Sequence, residues 1–478
     1  MNTIVKAKIK SIVGAENFFD SDEDRLCYSY DGTPIYSQLP EAVVFPKDDS
    51  QISELVKLAN DTKFNIVPRG AGTGLSGGSI PVENSIAVVM TRWNKIIEID
   101  KNNLTAWVEP GVVTGILQKE VEKFGLFYPP DPGSLNVCTI GGNVANNAGG
   151  LRGLKYGVTK NYVMGVEMIL PNGDLLKTGG KNFKDVAGYN LRDFIIGSEG
   201  TLGIITKVLL KLIPKPARSI TMLAYFDKLI DSAKSVSDII AAHITPSMME
   251  FLDNTTINCV EDYAKIGLPR NAEAMLLIEV DGKGSSVEED ASIIQSIFKK
   301  NNASSVRVTA DESEGQELKT ARRSAFSALA RRSPTTILED ATVPRSELPV
   351  MIEKITEAAK KYDVIIGNFG HAGDGNLHPT CLTDERNSKE IEKAHRAFEF
   401  IFNEAIKLGG TITGEHGTGL AKKQFLEQVA GIPGIEMMKK IKASIDENNV
   451  INPGKIFTMG PRCEGSLPHN REQIKDFH

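Results

Sequence analysis

Cysteine is scarce in this chain: five residues in 478 (Cys27, Cys138, Cys259, Cys381 and Cys463), widely scattered and with no CxxC pair. That pattern suggests neither a disulfide framework nor an iron–sulfur cluster of the chain's own, and it fits a reducing compartment. Basic clusters are missing too, and the net charge is −6, which argues against nucleic acid, whose phosphates demand a positive face. No stretch approaches the roughly 18 uninterrupted apolar residues of a membrane helix. The opening MNTIVKAKIKSIVGAENFF carries lysines without a sustained apolar run and acidic residues follow at once, so the expectation is no secretory or organellar signal and a cytoplasmic location. There is no G-x-x-x-x-G-K-[ST] pattern, which removes the P-loop ATPases, and no internal repeat or low-complexity segment.

Histidine is nearly as scarce, seven residues in all, yet three of them, His371, His378 and His416, fall in two short glycine-flanked segments, GHAGDGNLH and GEHG. DVIIGNF (363–369) reads as an apolar strand, Ala372–Gly375 as a turn, and the chain resumes extended from Asn376. In that hairpin His371 stands opposite Asn376. Because side chains alternate along a strand, His378 shares the face, and the two imidazoles become diagonal neighbours about 7–8 Å apart at Cα. Two imidazoles plus the carboxylate of Glu415 match the donor sets of catalytic zinc and non-haem iron sites. His416 is then left for proton transfer. The plainer alternative is that these side chains satisfy local hydrogen bonds in a glycine-rich turn region.

A length of 478 residues predicts two or three domains. EAVVFP, an amphipathic helix opened by Asp48–Ser50 with Ile52, Leu55, Val56 and Ala59 on one face, and FNIVPRG form a βαβ unit over 41–70. β-rich runs follow at 85–90, 95–100 and 105–110, then a helix near 112–124. VMGVEMIL and DLLKTG, joined by Asn172-Gly173, form a hairpin. LIPKPARS (212–219), with two prolines, marks a boundary. Strands at 275–280 and 305–310 and helices at 286–300, 316–332, 346–361 and 387–408 give a second, α+β region. The expected organisation is 1–216, then 217–410, then a segment 411–457 returning to the first region, and a polar tail 458–478.

The loop PRGAGTGLSGGSIP (68–81) follows a strand and exposes backbone N–H groups suited to a phosphate. Gly72, Gly74 and Gly77 formally satisfy G-x-G-x-x-G, but that fingerprint must open a helix, and here Ile80-Pro81 leads to another strand, so a nicotinamide Rossmann site is not expected. PPDPGSLNVCTIGGNVANNAGGLRGLKYG (129–157) and GSEGTLGIIT (197–206) add two more glycine clusters. One small phosphate does not need three such loops; a dinucleotide with two phosphates, a ribityl chain and an aromatic ring does, which points to FAD.

The ordered series PRGAGTGLSGG, PPDPGS, GGNVANNAGG, YG, GSEGTLGIIT, GHAGDGNLH, GEHG and INPGK (451–455) resembles the FAD-linked oxidases of the vanillyl-alcohol-oxidase (PCMH-type) superfamily. Within it the chain is similar to the group of the glycolate oxidase FAD subunit and the D-lactate and D-2-hydroxyglutarate dehydrogenases, over residues 40 to 457. The resemblance implies an α+β, PCMH-type fold. A two-subdomain FAD-binding domain would occupy 1–216 and an α+β cap or substrate domain 217–410, with 411–457 completing the active site. It implies that Pro68, Arg69, Gly70, Ala71, Gly72, Thr73, Gly77 and Gly78 wrap the pyrophosphate, that Pro132, Gly133, Ser134, Gly142, Asn146, Gly149, Gly150 and Gly157 line the flavin, that Glu199, Gly203, Ile204 and Ile205 hold the adenosine half, and that Asn452 closes over the isoalloxazine side. Covalent relatives carry a histidine in the first loop where this chain has Thr73, so non-covalent FAD is expected.

The same resemblance makes His371, His378 and Glu415 ligands of a divalent metal (Zn, Fe or Mn), His416 the base, and Arg322 the substrate-carboxylate arginine. Lys319 stands three positions earlier, where an aromatic residue is often found, and the alternative for Arg322 is a solvated helix face. The implied reaction is oxidation of a small D-2-hydroxy acid, with D-lactate preferred over glycolate and D-2-hydroxyglutarate. Hydride would pass from C2 to flavin N5, and the electrons onward to a protein acceptor such as an electron-transfer flavoprotein or an iron–sulfur subunit, or to a quinone through a partner. A flavin-free metal-dependent hydrolase and a non-catalytic flavoprotein are the readings of other classes.

Overall fold

The computed structural model describes residues 1–458; the rest of the tail expected at 458–478 lies outside the described residues. Two compact units divide the chain. The first comprises Met1–Ala148, Val158–Pro214 and the described residues from Glu415 onward; the second comprises Gly149–Gly157 and Lys215–Gly414. The passage between them at 214/215 falls inside the proline-bearing segment 212–219.

The first unit holds two larger sheets. In one, β1 (Phe18–Phe19), β2 (Ala42–Val44), β3 (Asn65–Arg69) and β4 (Ser85–Val89) run in the order β1-β2-β4-β3. β2 and β3 flank the connecting helix Asp49–Thr62 as expected, but they do not pair: β4 inserts between them and is parallel to both. Asp48 caps that helix by accepting the Gln51 N–H at 2.9 Å. Its buried stripe is Ile52, Leu55, Val56 and Ala59, each large side chain contributing about 1.5–3 kcal/mol by leaving water. The stripe packs with Val5, Ile9 and Val13 of the first helix against Ala42, Val44, Ile66, Ile86 and Val88, while Val43, Phe45, Ala87 and Val89 face the opposite side. That alternation is the period of two of a strand.

The second sheet of this unit is antiparallel. It contains β5 (Ile96–Asp100), β6 (Thr105–Val108), β8 (Val163–Ile169), β9 (Leu175–Gly179) and β10 (Ile204–Lys211) in the order β5-β6-β10-β8-β9; a short ribbon pairs β7 (Leu126–Phe127) with β11 (Ile213–Pro214). The hairpin β8–β9 closes through Asn172-Gly173 with Ile169 opposite Leu175.

The second unit is built on one antiparallel sheet. Its strands are β12 (Arg218–Phe226), β13 (Met248–Asp253), β14 (Ala274–Gly282), β15 (Ala303–Val308), β16 (Thr335–Leu338), β17 (Ala341–Thr342), β18 (Ile365–His371) and β19 (Asn376–Thr383). The order is β15-β12-β14-β13-β18-β19-β16, with β17 on β19. Helices Ser286–Lys300, Leu348–Tyr362 and Ser388–Lys407 stand where the 3.6-residue period places them; the expected helix 316–332 is two, Glu312–Arg323 and Ala325–Ala330, broken at Ser324. Among the described residues, no helix is long and apolar enough to cross a membrane.

Candidate active site

In the first unit the glycine loops meet through their backbones. Gly70 lies so close to Thr139 that a Cβ there would strike its hydroxyl, and Thr139 caps the helix Ile140–Asn146 by accepting from Gly142 N at 3.3 Å. The carbonyls near the end of that helix take the next loop: Gly197 N donates to Val144 O (3.0 Å) and Glu199 N to Ala145 O (2.7 Å). Segments 68–80, 132–142 and 197–203 are thus joined.

The chain after Glu415 fastens the two outer loops. Ser76 O accepts from Leu420 N at 2.7 Å, and Ser76 Oγ donates to Gly417 O at 2.8 Å. Lys455, fully buried, donates to Gly77 O (2.9 Å) and Ile80 O (2.6 Å). Asn452 Nδ2 donates to Gly78 O (2.9 Å) and Glu199 O (2.8 Å). Glu199 in turn accepts Thr418 N (2.7 Å) and Gly419 N (2.8 Å) through its carboxylate. Carbonyls satisfied from behind do not compete for the amides of the same loops, and free backbone amides of a glycine loop suit an anion such as a pyrophosphate.

Several expected cofactor residues are packed into the scaffold. Arg69 is buried beneath the loop, against Gly72 and over the Tyr28 ring at 5.5 Å. Ile204 packs in the apolar core with Ile66, Ile169 and Ile451, which leaves only its backbone for a cofactor. Space for a ligand is found elsewhere: a Cβ on Gly74 would meet nothing closer than 3.8 Å, on Gly78 nothing closer than 3.5 Å, and on Gly133 nothing within 4 Å. Packing does not require glycine at these positions, whereas a ligand lying against the backbone does. The residues fit FAD on that ground. Of the proposed flavin-lining residues, Gly149, Gly150 and Gly157 belong to the second unit, the others to the first.

In the second unit β18 and β19 pair with His371 opposite Asn376 and Phe369 opposite His378. The two imidazoles are buried and face each other edge-on with centroids 5.0 Å apart. The turn demands glycine: Gly375 has φ +79°, and a Cβ there would run into Val343 O. Behind each imidazole stands a carboxylate. His371 Nδ1 is 2.7 Å from Glu250 Oε1, and His378 Nδ1 is 3.9 Å from Asp340 Oδ1. Asp340 also accepts Gly414 N at 2.8 Å and Thr413 Oγ1 at 2.9 Å, holding the last residues of the unit. Glu415 and His416 are the next two residues of the chain and belong to the first unit, where the His416 carbonyl accepts from Ser76 Oγ at 3.1 Å.

Arg322 is 5% exposed, which rules out a solvated helix face. Its guanidinium lies 2.5 Å from Glu250 Oε2 and 4.8 Å from the centre of the Phe369 ring. One turn earlier Lys319 is buried as well, 2.5 Å from Glu279 Oε2. Burial by itself pushes the Glu250 carboxyl up, but Arg322 and His371 outweigh it and hold it below its ordinary range. From sequence alone Glu250, Asp340 and Lys455 carry no assigned role. An acid in the middle of the apolar run MMEFL was the available signal for the first, and Lys455 is the last residue of the motif INPGK.

Comparison with known proteins identifies the family. Residues 40–179 match the family model "FAD binding domain" and residues 215–456 match "FAD linked oxidases, C-terminal domain". The chain is 53% identical over 458 residues to glycolate oxidase subunit GlcD of Bacillus subtilis (strain 168), spanning 96% of this chain and 97% of the relative. It is 33% identical over 448 residues to a D-lactate dehydrogenase of Anaerostipes hadrus, spanning 91% and 93%. The solved structure of p-cresol methylhydroxylase with substrate bound superposes with a TM-score of 0.79 at 19% identity, covering 95% of this chain and 97% of that one. That likeness bears out the PCMH-type fold.

Proposed function

This chain belongs to the FAD-linked oxidases, and we propose that it oxidises a small 2-hydroxy monocarboxylate to the 2-oxo acid with a metal-assisted histidine base. It is an FAD-linked oxidoreductase of the glycolate oxidase and D-lactate dehydrogenase type. Bound flavin supplies the hydride acceptor. Thr73 in place of a linking histidine supports non-covalent attachment.

The observation that carries the proposal is the clustering, in the second unit, of Arg322 and two carboxylate-backed imidazoles around Glu250. A guanidinium offers a fork of N–H donors to a substrate carboxylate. His371 and His378, with Glu415 following directly after the anchored Gly414, are the donor set for a divalent metal: two imidazoles and a carboxylate suit Zn²⁺, Fe²⁺ or Mn²⁺. Such an ion, when bound, supplies a Lewis acid that lowers the pKa of the substrate hydroxyl. His416 takes the hydroxyl proton, the task of a general base within reach of the substrate hydroxyl. Arg322 orients the carboxylate.

D-Lactate and glycolate differ by one methyl group. D-Lactate is the substrate expected from the sequence; the 53% identity to a protein named glycolate oxidase subunit favours glycolate as a second reading. An electron-accepting protein, whether an electron-transfer flavoprotein or an iron–sulfur subunit, completes the proposal. An anaerobic titration of the yellow protein with D-lactate, L-lactate, glycolate and D-2-hydroxyglutarate tests it. Bleaching of the flavin by D-lactate or glycolate is expected; a flavin that none of the four reduces would overturn the substrate class.

A further inference from the structure

Glu250 lies on β13 with no exposed surface, hydrogen-bonded through one oxygen and ion-paired through the other. Oε1 is 2.7 Å from His371 Nδ1 and Oε2 is 2.5 Å from the Arg322 guanidinium. The first contact is a directly opposed cross-strand pair, Glu250 with His371 between β13 and β18. The second comes from the helix Glu312–Arg323, and Phe369, two residues before His371 on the same strand face, lies under the guanidinium. A buried carboxylate bound this way cannot rotate toward one partner without abandoning the other, and abandoning either would strand a charge out of water.

We propose that Glu250 is a positioning residue that sets two parts of the reaction centre together: it fixes His371 as the Nδ1–H tautomer, which turns the Nε2 lone pair to a divalent metal, and it aims the Arg322 guanidinium at the substrate carboxylate. This rests on the metal-assisted reading given above. Carboxylates or carbonyls behind a ligating imidazole set the tautomer and ring orientation in this way, and their loss costs about 10–100-fold in metal affinity or activity. The isostere Glu250→Gln separates this role from mere packing, because one amide cannot serve both partners. With its oxygen toward His371, its NH₂ group meets the guanidinium, donor against donor. Turned over, its NH₂ donates to Nδ1 and drives the imidazole proton to Nε2.

The test compares full-length, FAD-loaded wild type with Glu250→Gln and His378→Ala, reading Zn²⁺ affinity by chelator competition alongside bound FAD. The expected result for Glu250→Gln is full FAD content, Zn²⁺ binding weakened about 10–100-fold, and a raised KM for the hydroxy acid. Glu250→Gln protein that binds Zn²⁺ as tightly as wild type overturns the inference while leaving the metal reading intact. Wild type that binds neither Zn²⁺ nor Mn²⁺ nor Fe²⁺ overturns the metal reading itself, and this inference with it. A second measurement needs no variant at position 250: ¹⁵N spectra of metal-free wild type labelled at histidine, with the His371 signals identified by their loss in His371→Gln. The Nδ1–H tautomer is expected there, and an Nε2–H tautomer overturns the proposal.

Discussion

Buried charge is handled differently in the two units. In the first, Lys455 reaches the carbonyls of Gly77 and Ile80, and Lys442 those of Thr201 and Ile451 in addition to Asp446. In the second, Lys319 and Arg322 meet the carboxylates Glu279 and Glu250. The contrast follows from what each unit presents. A dinucleotide is held largely by backbone amides, so the carbonyls of the same loops must be satisfied from behind, and a buried ammonium with three donors does this. A hydroxy acid in the proposed reaction is held by charged side chains, which stay buried only when other side chains balance them.

The comparison breaks most visibly at His378. We expect His378→Ala to abolish metal binding and turnover while FAD remains bound at full occupancy, as metal analysis and the visible spectrum will record. Retained activity would remove the metal from the second unit's role. Lys455→Met attacks the other side. It deprives two buried carbonyls of their donor at about 1–3 kcal/mol each, and should weaken FAD binding and lower stability with Zn²⁺ affinity unchanged; unchanged FAD affinity would show that the staple behind the loop does not matter.

The pH dependence of stability sharpens the contrast further. In the second unit Asp253 caps the helix Asn254–Ala264, accepting Thr256 N (2.8 Å) and Asn368 N (2.9 Å), and burial pushes its pKa up to about 6. Between about pH 4 and 6 the folded protein therefore holds a proton that the unfolded chain has released, so its stability falls as pH rises through this window. Asp253 keeps part of its surface exposed, which trims the effect to about 1–2 kcal/mol. Chemical denaturation at pH 4 and 7 should show wild type losing that much relative to Asp253→Asn; parallel pH profiles would refute it. The smallest stability effect belongs to Gly74→Ala. With no atom within 3.8 Å of the new methyl, apo stability should move by less than about 0.5 kcal/mol, yet FAD affinity should fall at least tenfold. Equal FAD affinity would place the cofactor away from this loop.

Much of the fold was legible because its signals are local. The helix Asp49–Thr62, its Asp48 cap and its four-residue apolar face were readable from a 3.6-residue period, and the β18–β19 hairpin from a glycine turn between apolar runs. The hairpin register put both imidazoles on one face. Strand order was not legible: β4 enters between β2 and β3 because parallel neighbours are chosen by packing over the whole sheet, not by adjacency in the chain. The break at Ser324 was missed because apolar and charged residues keep a helical period across it.

Taken alone, the amino-acid sequence determined several of the strands, the glycine-rich loops, and which residue types are candidates for the chemistry, since each rests on contacts a few residues long. Tertiary structure decided what stands behind them. Glu250 reaches His371 across 121 positions, and Lys455 reaches Gly77 across 378. A carboxylate inside an apolar strand or a lysine after a glycine has no role until folding removes water from it. At that point it must find a partner, and only the packed core determines which one is within reach.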